Sequence, residues 1–536
     1  MTTESDVLVV GAGPTGLTAA LAAHAHGARV RIVDRRQDRV QPSRAMMLHA
    51  RALECLRPLG VTDALLDRAD TAPEARIHLG GRVLAVGLGH VDLPDTAFPH
   101  LSLVRQAAIE EVLWDALRAR GVDVEWGAEF LGLRGESADD GMVSAQLRTP
   151  GGTLEHHRCR FVAGCDGQSS TVRGLVGADW RGGPYRVEAV LADVELGTPL
   201  EPGVLHVAVG ASGLAFLFAL GEGATWRMLA TRRADPGPNA RFGQFGERVP
   251  PEQVRHLIEE SRLGATIEEV RWSARVPLQH RVAKPFRRGA LFLAGDAAHA
   301  HSPAGGQGMN NGILDAVNLG WKLGLASAGE AHEPLLESYD QERRRAAYEV
   351  LALTHLIFFG EASTNPAARL VRSTFLPLAA PLIPPLLRRR RLTAAAVRLL
   401  AQPYVRYGHS RISRDVAPRA TRWPRPGHRL PDAPATVDGR RGRLHELTAA
   451  PGIHILLEPD ARWDSGILGG RPPDGRVHVH RLVGHPGRGL VAVRPDGYIG
   501  FRCGEADGRV GDWLRLVGAV ASGTPDQRRP QSPAAG

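Results

Sequence analysis

The sequence is short of lysine, cysteine and aromatic side chains, and each shortage removes a class of function. Only Lys284 and Lys322 are lysines among 66 basic residues, so the formal net charge of +9 is carried by arginines scattered through a chain of 536 residues. A nucleic-acid binder gathers its bases into an arm or stripe and interleaves rings for stacking. Here Phe, Trp and Tyr make up 5% of the chain, and nucleic-acid binding is not expected. The four cysteines, Cys55, Cys159, Cys165 and Cys503, form no CxxC, and the pair in CRFVAGC has no zinc spacing. That pattern points to a reducing cytoplasm and to no metal. Long apolar runs are missing as well. The strongest, Phe375 to Leu387, carries four prolines and is too short to span a bilayer. No stable membrane insertion is expected, with contact between Arg388 to Arg391 and an anionic surface as the lesser alternative. The opening MTTESDVLVVGAG has no basic segment and reads as a strand entering a turn, not as a signal peptide.

What is present is organised in blocks. Asp6 to Asp34 reads as a βαβ unit: strand Val7 to Val10, an Ala/Leu-rich helix from Pro14 to His26 ended by Gly27, and strand Arg29 to Asp34. A helix from Ala107 to Arg120 puts Ile109, Val112, Leu113 and Leu117 on one face, and strand Val122 to Trp126 comes next. Between Gly182 and Arg275 the pattern turns strand-like, in VEAVLADVEL, GLAFLFALG and TWRMLATRR, with one amphipathic helix at Pro251 to Leu263. After Gly289 come strand Ala290 to Ala294, a glycine loop, and a long helix with Ile313, Ala316, Val317, Gly320 and Leu323 on one face. The expected fold is therefore α/β. A discontinuous Rossmann-like domain covers 1–181 and 276–365, and a β-rich domain is inserted at 182–275, with part of 76–100 a candidate to join it. A basic helical linker at 366–429, a small αβ domain at 430–522 and a disordered tail at 523–536 complete the chain.

Two glycine segments carry the chemistry. In GAGPTG, Gly11 makes a tight turn, Gly13 lets a pyrophosphate approach the backbone, and Gly16 allows close helix packing, with Thr15 in the same turn. The helix start offers free N–H groups and a partial positive charge to phosphates. Asp34, 18 residues after Gly16, stands at a strand end where it accepts from ribose hydroxyls. Arg35 beside it would meet a 2′-phosphate if the nucleotide here were NADP. This fingerprint alone does not separate NAD from FAD.

Far downstream, GALFLAGDAAHAHSPAGGQGMNNG delivers Asp296 from a strand tip, where a carboxylate can hold hydroxyls of an extended cofactor. Gly305, Gly306 and Gly308 then let the backbone run against a flat ring, toward which the next helix directs N–H groups from Met309 and Asn310. The plain alternative is a surface glycine loop before an ordinary helix. His299 and His301 in this loop read as structural. In CDGQSSTVR, Asp166 and Gly167 come after the strand Arg160 to Gly164, and Ser169, Ser170 and Arg173 begin a helix. For Asp166, a turn that caps that helix stands as an equal alternative to a cofactor role.

Together GAGPTG, CDGQSSTVR and GALFLAGDAAHAHSPAGGQGMNNGILDAVNLGWKL resemble the class A flavoprotein monooxygenases, the para-hydroxybenzoate hydroxylase and phenol hydroxylase group, over roughly residues 4–350. The resemblance implies FAD as cofactor and NADPH or NADH as a transient electron donor. It implies capture of O2 as a flavin C4a-hydroperoxide and insertion of one oxygen atom into a phenolic or polycyclic polyketide substrate. It places Arg44 near the flavin phosphates, Gln106 at the ribityl oxygens, Asp166 in service of FAD and Pro303 beside the reactive face. The catalytic residue stays unnamed, because the flavin carries the chemistry. The substrate pocket is expected where the β-rich domain faces the flavin, walled by GLAFLFALG. LVAVRPDGYIGFR resembles the thioredoxin-like domain that ends many phenol-type and polyketide hydroxylases. Without a CxxC its role is structural, packing a homodimer or the catalytic part. The alternatives are a Baeyer–Villiger oxygenation by the same fold and a catalytically silent flavin-fold binding protein. A flavin halogenase is disfavoured, because none of the nine tryptophans forms WxW.

Overall fold

The structure is a computed structural model and describes residues 3–38, 43, 45–71, 73–79, 82–89, 91, 93–135, 140–197, 200–210, 213–219, 223–234, 242–327, 333–362, 370, 405–416, 423–464, 475–484, 487–504 and 509–520. Arg44, the arginine run at 388–391, most of the expected linker and the expected tail lie outside the described residues.

The opening unit forms a strand at Thr3–Val10, a helix at Pro14–Ala25 and a strand at Val30–Asp34. Leu154–Gly164 pairs in parallel with Thr3–Val10 on one side and with Leu291–Leu293 on the other. Val30–Asp34 and Val124–Trp126 extend the parallel sheet. Strands covered on both faces need apolar side chains throughout, and Val7, Leu8 and Val9 are fully buried. The register aligns Val10 with Gly164, and Gly164 with Leu293. Three neighbouring strands therefore end side by side, and the chain leaves them through Gly11, Cys165–Asp166 and Ala294–Asp296. The carboxyl edge of such a sheet is where ligands bind.

The helix Pro14–Ala25 owes its alanines to a close neighbour, the helix Gln307–Ser327. A Cβ on Gly320 would lie 2.5 Å from that of Ala22, and one on Gly324 2.5 Å from that of His26. Small residues at that spacing let the two backbones approach, and the long helix is buried on nearly every side, not only on the apolar face expected of it.

The second sheet has eight strands. Its centre is the antiparallel pair Asp179–Leu196 and Ile267–Lys284, aligned from Asp179 opposite Lys284 to Leu196 opposite Ile267. That pairing continues through the boundaries expected at 181 and 275, because a ladder of hydrogen bonds does not stop where composition changes. The hairpin Glu74–Leu79 and Arg82–Gly87, early in the chain, joins the far edge beside Val204–Gly210. At the other edge His299–Ala300, part of the glycine loop, adds two residues to Ile267–Lys284. Strand alternation divides the side chains. Val190, Ala192, Ala215, Leu217 and Met228 pack under the helix Pro251–Ser261 with Val254 and Ile258. Leu205 and Phe218 pack on the opposite face with Met46.

The C-terminal part is a seven-stranded sheet with Ile453–Leu457 central, parallel to Val477–Val483 and antiparallel to Leu490–Val493. Its core is shared: Phe501 and Trp513 cluster with Trp321 and Leu325 of the long helix and with Leu335. No helix among the described residues is long and apolar enough to cross a membrane.

Candidate functional site

Along the carboxyl edge of the first sheet lies a cavity of about 440 Å³ whose lining includes Gly11, Gly13, Asp34, Arg35, Gln106, Asp166 and Asp296. The three glycines of the first turn are glycines for different reasons. Gly11 has φ +101°, and a Cβ there would lie 2.4 Å from the Cys165 carbonyl oxygen; on Gly16 it would lie 1.8 Å from that of Gly11. Gly13 has nothing within 4 Å of the position a Cβ would take. Protein packing explains two of the three, and the space kept at Gly13 belongs to the cavity.

Asp34 is held rigidly at the cavity wall. It accepts from the Ala12 N–H at 2.7 Å and from the Arg36 N–H at 2.8 Å, and pairs with the Arg36 guanidinium at 3.0 Å. Arg35 is exposed where it lines the cavity. Gln106 begins the helix Gln106–Arg118 and donates to Glu110 at 2.8 Å, while its oxygen accepts from the Ala45 N–H at 3.3 Å. Glu110, a buried carboxylate that also lines the cavity, carries no signal in the sequence, where it reads as one more polar residue of an amphipathic helix.

Asp166 does what its plain alternative describes. Its carboxylate accepts from the Ser170 hydroxyl at 2.6 Å and from the N–H groups of Thr171 and Val172 at 2.7 and 3.2 Å, capping the helix Thr171–Val176. Burial raises its pKa. Arg173 donates to the carbonyls of Gln168 (2.6 Å) and Ala297 (3.1 Å) and lies 4.1 Å over the Trp180 ring. It ties the CDG segment to the Asp296 turn. Asp296 is partly exposed, with the Gln168 amide 3.5 Å from one oxygen.

The second glycine loop meets the first through Thr15. Its hydroxyl fills the space where Cβ atoms on Gly295 and Gly312 would stand, at 2.5 and 2.3 Å. The Thr15 side chain thus joins the two motifs and is absent from the cavity lining. Asn310 is likewise occupied by protein: it accepts from the His49 N–H at 2.8 Å and donates to the carbonyls of Met47 (2.9 Å) and Gly306 (2.8 Å). The Met309 side chain is buried in the core. What Met309 leaves for a ligand is its backbone N–H in the first turn of the helix Gln307–Ser327, which lacks helical partners, whereas the Asn310 N–H, fourth in the helix, makes the first intrahelical bond. A Cβ on Gly306 would lie 2.9 Å from that of Met47, whereas one on Gly308 would meet only the His301 ring, at 3.7 Å. Pro303 precedes the short 3-10 turn Ala304–Gly306.

The histidines of this loop have partners that sequence spacing concealed. His299 Nε2 lies 2.6 Å from the Asp315 carboxylate. His301 Nδ1 donates to the Ser302 carbonyl at 3.0 Å, leaving Nε2 an acceptor, buried and without a partner. Burial lowers its pKa to about 4, so the ring is neutral. No group of three or more His, Cys, Asp or Glu among the described residues could hold a metal. Open space at Gly13 and Gly308, a cavity running from the first turn to Asp296, and an orphaned acceptor beside Gly308 fit an extended cofactor lying across both motifs.

Comparison with known proteins agrees. The family model described as FAD binding domain matches residues 4–354. A 12-dehydrotetracycline 5-monooxygenase/anhydrotetracycline 6-monooxygenase from Streptomyces rimosus subsp. rimosus is 34% identical over 525 residues, covering 92% of this chain and 94% of the relative. A rifampicin monooxygenase from Streptomyces venezuelae is 31% identical over 520 residues, again covering 92% and 94%. The solved structure of an anhydrotetracycline hydroxylase from Streptomyces rimosus superposes with a TM-score of 0.73 at 29% identity, covering 96% of this chain and 99% of that one.

Proposed function

This chain belongs to the FAD binding domain family and is a flavoprotein monooxygenase of the aromatic-hydroxylase kind; from that premise we propose that its substrate is a multi-ring phenolic compound of polyketide type. The observation that carries this reading is an apolar cluster that reaches the second glycine loop through Met47, 2.9 Å from where a Cβ on Gly306 would stand. Leu205 and Phe218 of the second sheet, with Met46, form its buried part, and Met47, Val207 and Phe216 are partly buried against it. Within GLAFLFALG only alternate residues take part: Phe216 and Phe218 pack in this cluster, while Ala215 and Leu217 pack with Val254 and Ile258 of the helix Pro251–Ser261. A broad apolar surface of this kind suits fused rings, and the relatives named for tetracycline and rifampicin substrates support the class.

Bound FAD, reduced by NADPH or NADH, supplies the activation of O2. The protein binds, orients and excludes water. The N–H groups around Gly13 at the start of Pro14–Ala25 receive the pyrophosphate, with Arg44 near it and Gly11 and Gly16 shaping the turn. Asp34 takes the adenosine ribose with Arg35 at the rim. Gln106, fixed by Glu110, and Asp296, approached by Gln168, take the ribityl hydroxyls. Asp166 supports them from the cap of its helix. Gly306, Gly308 and the Met309 N–H would receive the ring, with Asn310 bracing the loop and Pro303 shaping the reactive side, and Thr15 holds the two loops together.

The C-terminal sheet, with a parallel pair, an antiparallel hairpin and the closing helix Arg509–Leu516, supports a thioredoxin-like reading. Its shared core with the long helix supports packing on the catalytic part. Four buried cysteines in no disulfide fit a reducing cytoplasm. A homodimer completes the reading and is tested by sedimentation. The function itself is tested by NADPH oxidation in the presence of candidate phenols, with mass spectrometry and NMR of the product. Multi-ring phenols should stimulate oxidation and gain one oxygen on a ring carbon. Stimulation by single-ring phenols alone sinks the substrate class, and ring expansion points to Baeyer–Villiger chemistry.

A further inference from the structure

We propose that Asp315 is a positioning residue for Asp296: one of its carboxylate oxygens clamps both flanks of the turn that carries Asp296, and Arg343 and Tyr407 extend the clamp into the C-terminal part of the chain. The inference rests on the reading in which Asp296 holds the cofactor.

Asp315 is fully buried on the helix Gln307–Ser327 and does not line the cavity. Its Oδ2 accepts from the Gly295 N–H at 2.9 Å and lies 2.6 Å from His299 Nε2. The residue just before Asp296 and the third residue after it are therefore tied to a single atom. Between them the Ala298 N–H donates to the Gly295 carbonyl at 2.8 Å, closing the turn. From the other side Arg173 holds the Ala297 carbonyl. Among the described residues Asp296 itself is approached by the Gln168 amide at 3.5 Å, so its direction is set by what grips the turn.

The second oxygen of Asp315 accepts from Arg343 Nε at 2.6 Å. Arg343 also donates to the Asn311 side chain at 2.5 Å and to the Tyr407 hydroxyl at 2.7 Å. The Tyr407 ring packs at 4.2 Å on Tyr498, which precedes the strand Ile499–Cys503 of the C-terminal sheet. Asp315, Arg343 and Tyr407 are each at most 2% exposed. Burial alone would raise the Asp315 carboxyl, but Arg343 and His299 outweigh it and hold the group below its ordinary value, so it stays charged. A buried ion pair adds little net stability over well-packed apolar residues. What a rigid, fully bonded chain does supply is a fixed geometry for the group at its end.

The test is titration of apoprotein with FAD, monitored by quenching of flavin fluorescence, for Asp296→Asn, Asp315→Asn and the double variant. Asp315→Asn should weaken FAD binding about tenfold and shift the bound-flavin spectrum in the same sense as Asp296→Asn. The double variant should bind no more weakly than Asp296→Asn alone, because both changes remove the same contact. Losses that multiply in the double variant, or parental affinity in Asp315→Asn, overturn the proposal. Parental affinity in Asp296→Asn instead removes the premise, a different and separable result. If Asp315→Asn does not fold, Tyr407→Phe deletes one buried hydroxyl at the far end of the clamp. It should weaken FAD about threefold, and unchanged affinity there also overturns the proposal.

Discussion

Two carboxylates, Asp296 and Glu342, sit at opposite ends of a functional scale although both lie against the helix Gln307–Ser327. Asp296 is partly exposed at the cavity, with one amide at 3.5 Å. Glu342 is fully buried and receives Lys322 at 2.8 Å, Arg494 at 2.7 and 2.8 Å, Asn318 at 2.8 Å and Ser410 at 2.6 Å. Around it the network continues through Asp496 to Arg51 and Glu54, and thence to Arg429, binding the C-terminal sheet to the FAD-binding part. A buried charge costs several kcal/mol unless its lone pairs are met by partners. The lone pairs of Glu342 are met by protein, which makes it part of the frame, whereas Asp296 keeps capacity beside open space, where the proposed cofactor would lie.

The largest effect that would test this contrast is on Glu342. Glu342→Gln leaves Lys322 buried without its paired carboxylate and Arg494 with Asp496 alone, and should cost about 3–5 kcal/mol of stability in urea unfolding. A cost near that of a surface substitution would erase the distinction. Asp296→Ala should do the reverse: unfolding of the apoprotein unchanged within about 0.5 kcal/mol, with FAD binding weakened by about 1.5–3 kcal/mol in calorimetry.

The first glycine turn divides in the same way. Gly16→Ala drives a methyl group into the Gly11 carbonyl and should destabilise the fold by more than about 1 kcal/mol. Gly13→Ala, at φ −76° and with open space, should leave the thermal midpoint of the apoprotein nearly unchanged while FAD affinity falls. A stable Gly13→Ala variant that binds FAD normally would place the pyrophosphate elsewhere.

A smaller, graded effect comes from acid. Burial lowers the pKa of both His26 and His49 to about 4. Between pH 6.5 and 4 the unfolded chain binds protons that the native state refuses, so stability falls as pH falls through this window, by about 1.4 kcal/mol per pH unit for each such histidine. His49→Gln should reduce that slope by one proton. An unchanged slope would mean that His49 is protonated in the folded protein.

Much of the fold and the cofactor edge was legible because its determinants are local. The strand before Gly11, the helix after Pro14 and the strand delivering Asp296 arise from apolar runs ended by turn residues, and they form close to where the pattern puts them. Asn311, Asp315, Asn318 and Lys322 show the opposite case. Their spacing of four, three and four residues is that of one helix stripe, which by itself reads as a wet face. In the fold the stripe is buried against Glu342, Arg343, Arg494 and Asp496. Lys322, one of only two lysines, shows no site in sequence because its partners come from other segments.

The sequence by itself determined that the chain carries two glycine turns of the kind that suit an extended dinucleotide, since tight turns, close backbone approach and strand periodicity depend on residues near one another in the chain. Only the tertiary structure decided that Thr15 and Asn310 spend their side chains on the protein, that Asp166 caps a helix, and that Asp315 grips the turn of Asp296. Whether a polar group is satisfied or left open depends on desolvation and on neighbours drawn from distant segments, and no local pattern records either.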